Sequence, residues 1–189
     1  MKKVLLALSF GVVTTAFAAI NNWSNDKAHS ELGFKVEHLG VSEVSGQIKD
    51  FDVTVKTEKA DFSDAVFELR AKVASVDTRV EMRDNHLKSA DFFDAEKYPE
   101  IVFTSTNIKK AGKNTYKLSG PMTMHGVTKN ITMDVVYNGT VNNPMSGKET
   151  AGFKVTGTIN RLDFGIGEKF PEAVVSNAVK IEAHGEFQK

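Results

Sequence analysis

VFELRAKVASV, residues 66–76, decides the fold. Phe67, Leu69, Ala71 and Val73 fall on one side of an extended chain, and Glu68, Arg70 and Lys72 on the other. Hydrophobicity with a period of two is what a β-strand with one buried and one wet face requires. The pattern recurs in both directions along the 189-residue chain. Upstream, Leu32, Phe34 and Val36 oppose Glu31, Lys35 and Glu37 in a predicted strand over 30–39. Gly40 turns the chain into a second, bent strand over 41–55, where Phe51, Val53 and Val55 alternate with Asp52, Thr54 and Lys56. Gly46 within it reads as a bulge.

Downstream, residues 100–109 form a further strand, with Ile101 and Phe103 opposite Val102 and Ile108. The turn Ala111-Gly112-Lys113-Asn114 leads into 115–125, and His125-Gly126 leads into 127–138, where Ile131, Met133, Val135 and Tyr137 share a face. The last strands are 150–160, with Phe153, Val155, Gly157 and Ile159 on one face, and 179–187, with Ile181, Ala183, Gly185 and Phe187. About eight antiparallel strands with hairpin connections and no crossover helices indicate an all-β barrel or sandwich. Ala71, Gly157, Ala183 and Gly185 on the inward faces leave room that a sandwich core would have to fill, which favours a barrel. An eight-stranded barrel can hold one slender ligand.

Two segments break the alternation. TRVEMRDNHLKSADFFDAEKYP, residues 78–99, concentrates charge, histidine and aromatics. Thr78 and Glu81 have capping-box spacing, which predicts a short helix over 79–88. Phe92 and Phe93 between acids, followed by Tyr98-Pro99, suggest a lid-like turn that ends before the next strand. The second segment, 161–178, carries Phe164-Gly165-Ile166-Gly167 and Phe170-Pro171.

The N-terminus reads as an address. Lys2-Lys3, an apolar run over 4–13 and Ala16-Phe17-Ala18 fit a secretory signal peptide over 1–18, leaving one domain over 19–189. A periplasmic or secreted location follows. The chain has no cysteine, so an exported domain must be stable without disulfides, and thiol chemistry is excluded. Basic and acidic residues balance at 24 each with no basic run, which weighs against nucleic acid as a partner.

Catalytic constellations are weak. Asp84 and His86 stand two apart in the predicted helix and face different ways. Arg83 and Asp84 read as a solvated helix face with salt links to strands. The five histidines are scattered without metal-ligand spacing, and no Gly-x-Ser-x-Gly elbow occurs. Gly165-x-Gly167 lacks the rest of a phosphate loop. No catalytic residue, metal or cofactor is assigned. The collective apolar faces are the better functional candidate, because ligand pockets are mostly apolar and favour barrel mouths.

An ordered set of short motifs spans the mature chain. It begins with Trp23…Asp26-x-x-His29-Ser30, Phe34-x-Val36-x-His38 and Gly46. Ala74-Ser75-Val76-x-Thr78, Arg83-Asp84-x-His86-Leu87, Asp91-Phe92-Phe93 and Tyr98-Pro99-x-Ile101-x-Phe103-x-Ser105 follow. Gly120-x-Met122-Thr123-Met124-x-Gly126-x-Thr128-Lys129, Arg161-x-Asp163-Phe164-Gly165 and Val179-x-Ile181 complete it. Together they resemble the YceI-like polyisoprenoid-binding family of exported bacterial proteins. The resemblance implies an extended, eight-stranded antiparallel lipocalin-like β-barrel with a short helix inserted between strands. It further implies a tunnel for a long isoprenoid or similar amphiphile, frequent dimers and no catalytic residues. Met122-Thr123-Met124 departs from the family's usual Leu-Thr-Ile.

The expected tunnel wall is Phe34, Val36, Phe67, Leu69, Phe103, Ile131, Met133, Phe153, Val155 and Ile159, with Phe92, Phe93 and Phe164 near the mouths. Arg83, His86 and Arg161 are the candidate polar contacts for a head group. The expected partners are a polyisoprenoid or long-chain amphiphile, a membrane surface in passing, and a second copy of the chain. The function expected is carriage, storage or protection of that lipid. An exported hydrolase acting on a lipid or small ester, and a stress-related barrel without a ligand, are the alternatives.

Overall fold

Strand alternation translates directly into a closed ring. The computed structural model describes residues 19–189, so the signal peptide expected over 1–18 lies outside the described residues. The strands in chain order are β1 (Asn21–His38), β2 (Ser42–Ile48), β3 (Phe51–Thr57), β4 (Val66–Lys72), β5 (Val76–Asp77) and β6 (Glu100–Thr104). They continue with β7 (Asn107–Lys110), β8 (Thr115–Met124), β9 (Val127–Asn142), β10 (Glu149–Asn160) and β11 (Val175–Gln188). Among the described residues one α-helix, α1 (Glu81–Lys88), lies between β5 and β6, and short 3-10 turns occupy Val73–Ser75 and Arg161–Phe164.

The ring runs β1–β3–β4–β6–β8–β9–β10–β11 and returns to β1, all antiparallel, which gives the expected eight-stranded barrel. Closure removes the free strand edges that would otherwise template aggregation. Residues with the same facing meet across the seams. Phe67, Leu69 and Ala71 of β4 stand opposite Val55, Val53 and Phe51 of β3, and Leu69 and Ala71 also face Phe103 and Ile101 of β6. The pleat therefore directs one continuous apolar surface inward.

Three local expectations are corrected. Gly46 pairs in regular register with Phe34 and makes no bulge. It is glycine because a Cβ there would lie 2.5 Å from Phe34 Cζ. The predicted bend falls instead at Lys49–Asp50, between β2 and β3. There Ser75 Oγ accepts from Asp50 N–H at 2.9 Å and Lys72 Nζ reaches the Asp50 carboxylate at 2.8 Å. Register breaks lie instead in β1, between Asn25 and Ser30 and between Val36 and His38, and in the β9–β10 pair between Gly152 and Phe153.

The capping box does not form either. The helix begins at Glu81, after Arg79 turns the chain at φ +66°. Asp84 takes the part assigned to Glu81: its Oδ1 accepts from Thr78 N–H at 2.8 Å and from Thr78 Oγ1–H at 2.5 Å. Arg83 donates to Thr78 Oγ1 at 2.7 Å and to Thr78 O at 2.8 Å. The expected salt links to strands are thus a clamp on one buried threonine, at the point where the lid leaves the barrel. Finally, two of the small inward residues do not add open space. Met133 Sδ occupies the volume beside Gly157, and Ser30 Oγ the volume beside Gly185.

Candidate functional site: a tunnel inside the barrel

All eight ring strands contribute side chains to one internal cavity of about 220 Å³. At ~10–15 Å³ of such volume per water, this is room for roughly 15–20 water-sized groups, comparable to a hydrocarbon chain of that many carbons. Phe34 and Val36 line it from β1, Phe67 and Leu69 from β4, and Phe103 from β6. Ile131 and Met133 line it from β9, and Phe153, Val155 and Ile159 from β10. Every strand residue expected on the wall is there.

The wall is wider than expected. Leu32, Phe51, Val53 and Ile101 also line it, as do Met122 and Met124 of β8 and Val179, Ile181 and Ala183 of β11. For some the signal was already present: Leu32 and Ile101 share the period-two facing of Phe34 and Phe103, and Phe51, Val53, Ile181 and Ala183 stand on the apolar faces read for their own strands, whereas no facing was read for Met122 and Met124. Methionine at 122 and 124 gives that side a flexible, polarizable surface.

The two ends differ. At the end where β1 begins, Trp23, Phe62, Phe67, Tyr137, Phe153 and Phe187 close the floor through ring contacts of 4.9–5.5 Å. At the other end Leu87 of α1, Phe92, Phe93 and Ile166 border the cavity. Phe164, expected beside them, is only 1 % exposed but lies off the wall, and its carbonyl meets His125 Nδ1 at 3.0 Å. Ile166, two residues on, takes the position on the cavity.

Phe92 joins the two irregular segments. Its ring stacks on Phe170 at 4.8 Å and 15°, and His86 packs edge-on against Phe92 at 5.0 Å and Phe170 at 5.5 Å. Lys169 Nζ reaches Asp91 Oδ1 at 2.6 Å, and His86 Nε2 lies 3.4 Å from Asp91 Oδ2. Lys169, and secondarily His86, hold the Asp91 carboxyl below the usual carboxylate range. The lid is thus latched by an aromatic stack with a charged rim. Arg83 and His86 belong to this lid and its anchor; neither lies on the cavity wall.

Arg161 borders the cavity and is 4 % exposed. Nε donates to Ser176 O at 3.2 Å; Nη1 donates to Ile166 O at 2.8 Å and Gly167 O at 2.6 Å. Nη2 donates to Phe170 O at 2.6 Å and Val175 O at 3.0 Å. Five N–H groups meet five carbonyls, so the donors expected for a head group are used to fold the loop over the barrel's end. Burial lowers the Arg161 pKa.

Outside the barrel, the β1 irregularity displays Asp26 and His29 beside Glu186 of β11, with their ligand-type atoms within 4.8 Å of one another. His29 Nδ1 lies 3.0 Å from Asp26 Oδ2, which also accepts from Gln188 Nε2 at 3.0 Å. Hydrogen bonding to His29 lowers the Asp26 pKa, and the same bond raises that of His29. The group is a surface ion cluster separate from the cavity.

Comparison with known proteins places this geometry. The family model described as a YceI-like domain matches residues 23–187. The UPF0312 protein SAS2572 of Staphylococcus aureus (strain MSSA476) is 38% identical over 174 residues, covering 89% of this chain and 98% of that protein. The crystal structure of Burkholderia cenocepacia BcnA superposes with a TM-score of 0.78 at 26% identity, covering 87% of this chain and 99% of that one. A polyisoprenoid binding domain from Saccharophagus degradans, implicated in plant cell wall breakdown, shares the fold with a TM-score of 0.66 at 14% identity, covering 90% and 99%.

Proposed function

This chain belongs to the YceI-like domain family, and on that premise we propose that it binds one long isoprenoid or similar amphiphile inside the barrel and carries or shelters it in the periplasm after export. The observation that carries this reading is the cavity: a long apolar space within a ring of eight strands, bordered at one end by a latched lid. A structural neighbour described as a polyisoprenoid binding domain has the same architecture. Burial of roughly 15–20 carbons at about 0.8 kcal/mol each supplies on the order of 12–16 kcal/mol. Association and ordering take back some 4–15 kcal/mol. Tight but reversible binding is therefore within reach, as carriage requires.

Binding is favoured over hydrolysis by the wall itself. The one serine on it, Ser30, has no hydrogen-bond partner, so no imidazole is placed to activate it. Arg83, Asp84 and His86 serve the lid, which opens to admit the chain from a membrane surface. Solvent extraction of freshly purified protein followed by mass spectrometry tests the reading. An isoprenoid in the extract, and saturable uptake of a fluorescent prenyl analogue by delipidated protein, are the expected results. No co-purifying lipid together with no saturable uptake would refute it.

A further inference from the structure

The cavity stops short of the barrel's end. On β8, β9 and β10 the last side chains lining it toward the end where β1 begins are Leu118, Met133 and Phe153. The next inward positions, Tyr116, Val135 and Ala151, are 0–2 % exposed and lie off the wall. The ladder continues past that level, with Ala151 paired to Thr140 and Glu149 to Asn142, so the strands go on where the space does not. Aromatic rings fill the barrel there. Phe153 touches four of them, Phe62 at 4.9 Å and Phe67, Tyr137 and Phe187 at 5.4 Å each. Phe62 comes from the turn between β3 and β4, not from a strand, and holds φ +57°, a left-handed conformation unfavourable for a residue with a Cβ. Its turn is fastened on both sides. Asp64 Oδ1 accepts from Thr57 Oγ1–H at 2.5 Å, and buried Tyr116 donates its O–H to Asp61 O. A strained backbone is thus held in place to put a buried ring behind Phe153.

We infer that Phe153, backed by Phe62, is the chain-length stop of the tunnel: the far end of the ligand's chain rests against the Phe153 ring, and the excess of a longer chain stays outside the lid. The inference rests on the tunnel reading above and adds which chains the tunnel accepts. Room for roughly 15–20 carbons corresponds to about three or four prenyl units. A further unit has no place beyond Phe153, because the rings behind it pack on one another and on the fastened turn. Forcing carbons into a filled interior is unfavourable, whereas leaving them in water forfeits only their burial. The stop therefore shows itself as a plateau. Affinity climbs with each prenyl unit until the tail meets Phe153, and then ceases to climb. Phe153→Ala removes about six carbons, close to one five-carbon prenyl unit, so the plateau in that variant begins one unit later.

The test uses delipidated protein and a ladder of prenyl diphosphates from about two to six units. The charged end of each stays in water, so the tail enters first. Affinities come from displacement of a fluorescent prenyl analogue. In wild type, Kd is expected to fall by at least about 10-fold per added unit up to the third or fourth, since burying five more carbons is worth more than that by transfer alone. The next unit is expected to change it by less than about 3-fold, because its carbons gain no burial. In Phe153→Ala the break moves one unit longer. Should that variant not fold, Phe153→Leu serves, and the first over-long chain is expected to gain at least about 3-fold on the longest chain that fits wild type. Val155→Ala, two positions toward the lid on the same strand and also on the wall, is expected to weaken every chain that reaches it while the break stays in place. A general loss of packing moves affinity or stability, and only a stop moves the break. Affinity that keeps climbing through six units in wild type, or a break unmoved in the Phe153 variants, overturns the inference and leaves the tunnel reading standing. Failure of wild type to take up the fluorescent analogue saturably overturns the tunnel reading itself.

Discussion

Ala183→Phe separates a tunnel from a filled core. Ala183 lies on the cavity wall, paired in register with Leu32 on one side and Val155 on the other, both also on the wall. Phenylalanine adds six carbons to the alanine methyl by simple count, against roughly 15–20 water-sized places in the cavity. A ligand that loses about six buried carbons at ~0.8 kcal/mol each forfeits on the order of 5 kcal/mol. That corresponds to between three and four decades in Kd; repositioning of the chain would recover part of it, so a loss of at least about 100-fold is expected. The ring, meanwhile, gains a place out of water. In a well-packed core the same substitution would cost about 1–3 kcal/mol through overpacking. The assay pairs titration of a fluorescent prenyl analogue with urea denaturation of the ligand-free protein. The expected result is lost affinity at unchanged or raised stability. Stability lowered by 1–3 kcal/mol with affinity untouched would refute the reasoning, because the space would then not be where ligand sits.

Further consequences follow from particular contacts. Arg161→Met leaves five carbonyls without their donor, so a loss of at least ~3 kcal/mol is expected in denaturation, and Arg161→Lys rescues little because one ammonium cannot reproduce the fork. Asp84→Ala strips Thr78 of its charged acceptor and should cost about 1.5–3 kcal/mol, with hydrogen exchange rising over residues 78–98 more than in the barrel strands. Phe170→Ala removes the stacked partner of Phe92, worth about 0.5–1.5 kcal/mol, and stopped-flow release of the prenyl analogue should quicken by roughly 2–13-fold. At the surface cluster, Asp26 raises the His29 pKa above its ordinary 6.5, and His29 lowers that of Asp26 below 3.8. The pair's stabilisation is therefore complete only between those two values. It fades as pH rises through the folded His29 pKa and as pH falls through the folded Asp26 pKa. An NMR titration should place His29 above 6.5, and Asp26→Asn should bring it back down.

The strands and the wall were legible because alternation is a local signal with a fixed geometric meaning. Once Phe67 and Leu69 are read as inward, the pleat assigns Phe103, Val155 and their neighbours, and the barrel follows from strand number and hairpin spacing. Where the period is lost, facing could not be read. Phe164 reads as a mouth residue in sequence and Ile166 does not, and only the folded loop puts Ile166 on the cavity and Phe164 behind it. Residues 21–29 do not alternate, so the first half of β1 and its register break were invisible. Thr78 and Glu81 had the spacing of a cap, but the left-handed turn at Arg79 brought Asp84 to Thr78 in its place. Arg161 shows the limit of residue type as evidence. A lone arginine near a tunnel suggests an anion, whereas its five carbonyl partners exist only in three dimensions.

The central claim is that the barrel holds a lipid, and native mass spectrometry of the protein isolated from its host tests it most directly. The expected spectrum shows the mature chain with one bound species, released on activation as an isoprenoid or similar amphiphile. A spectrum of bare polypeptide that stays bare after incubation with a prenyl lipid would contradict the account.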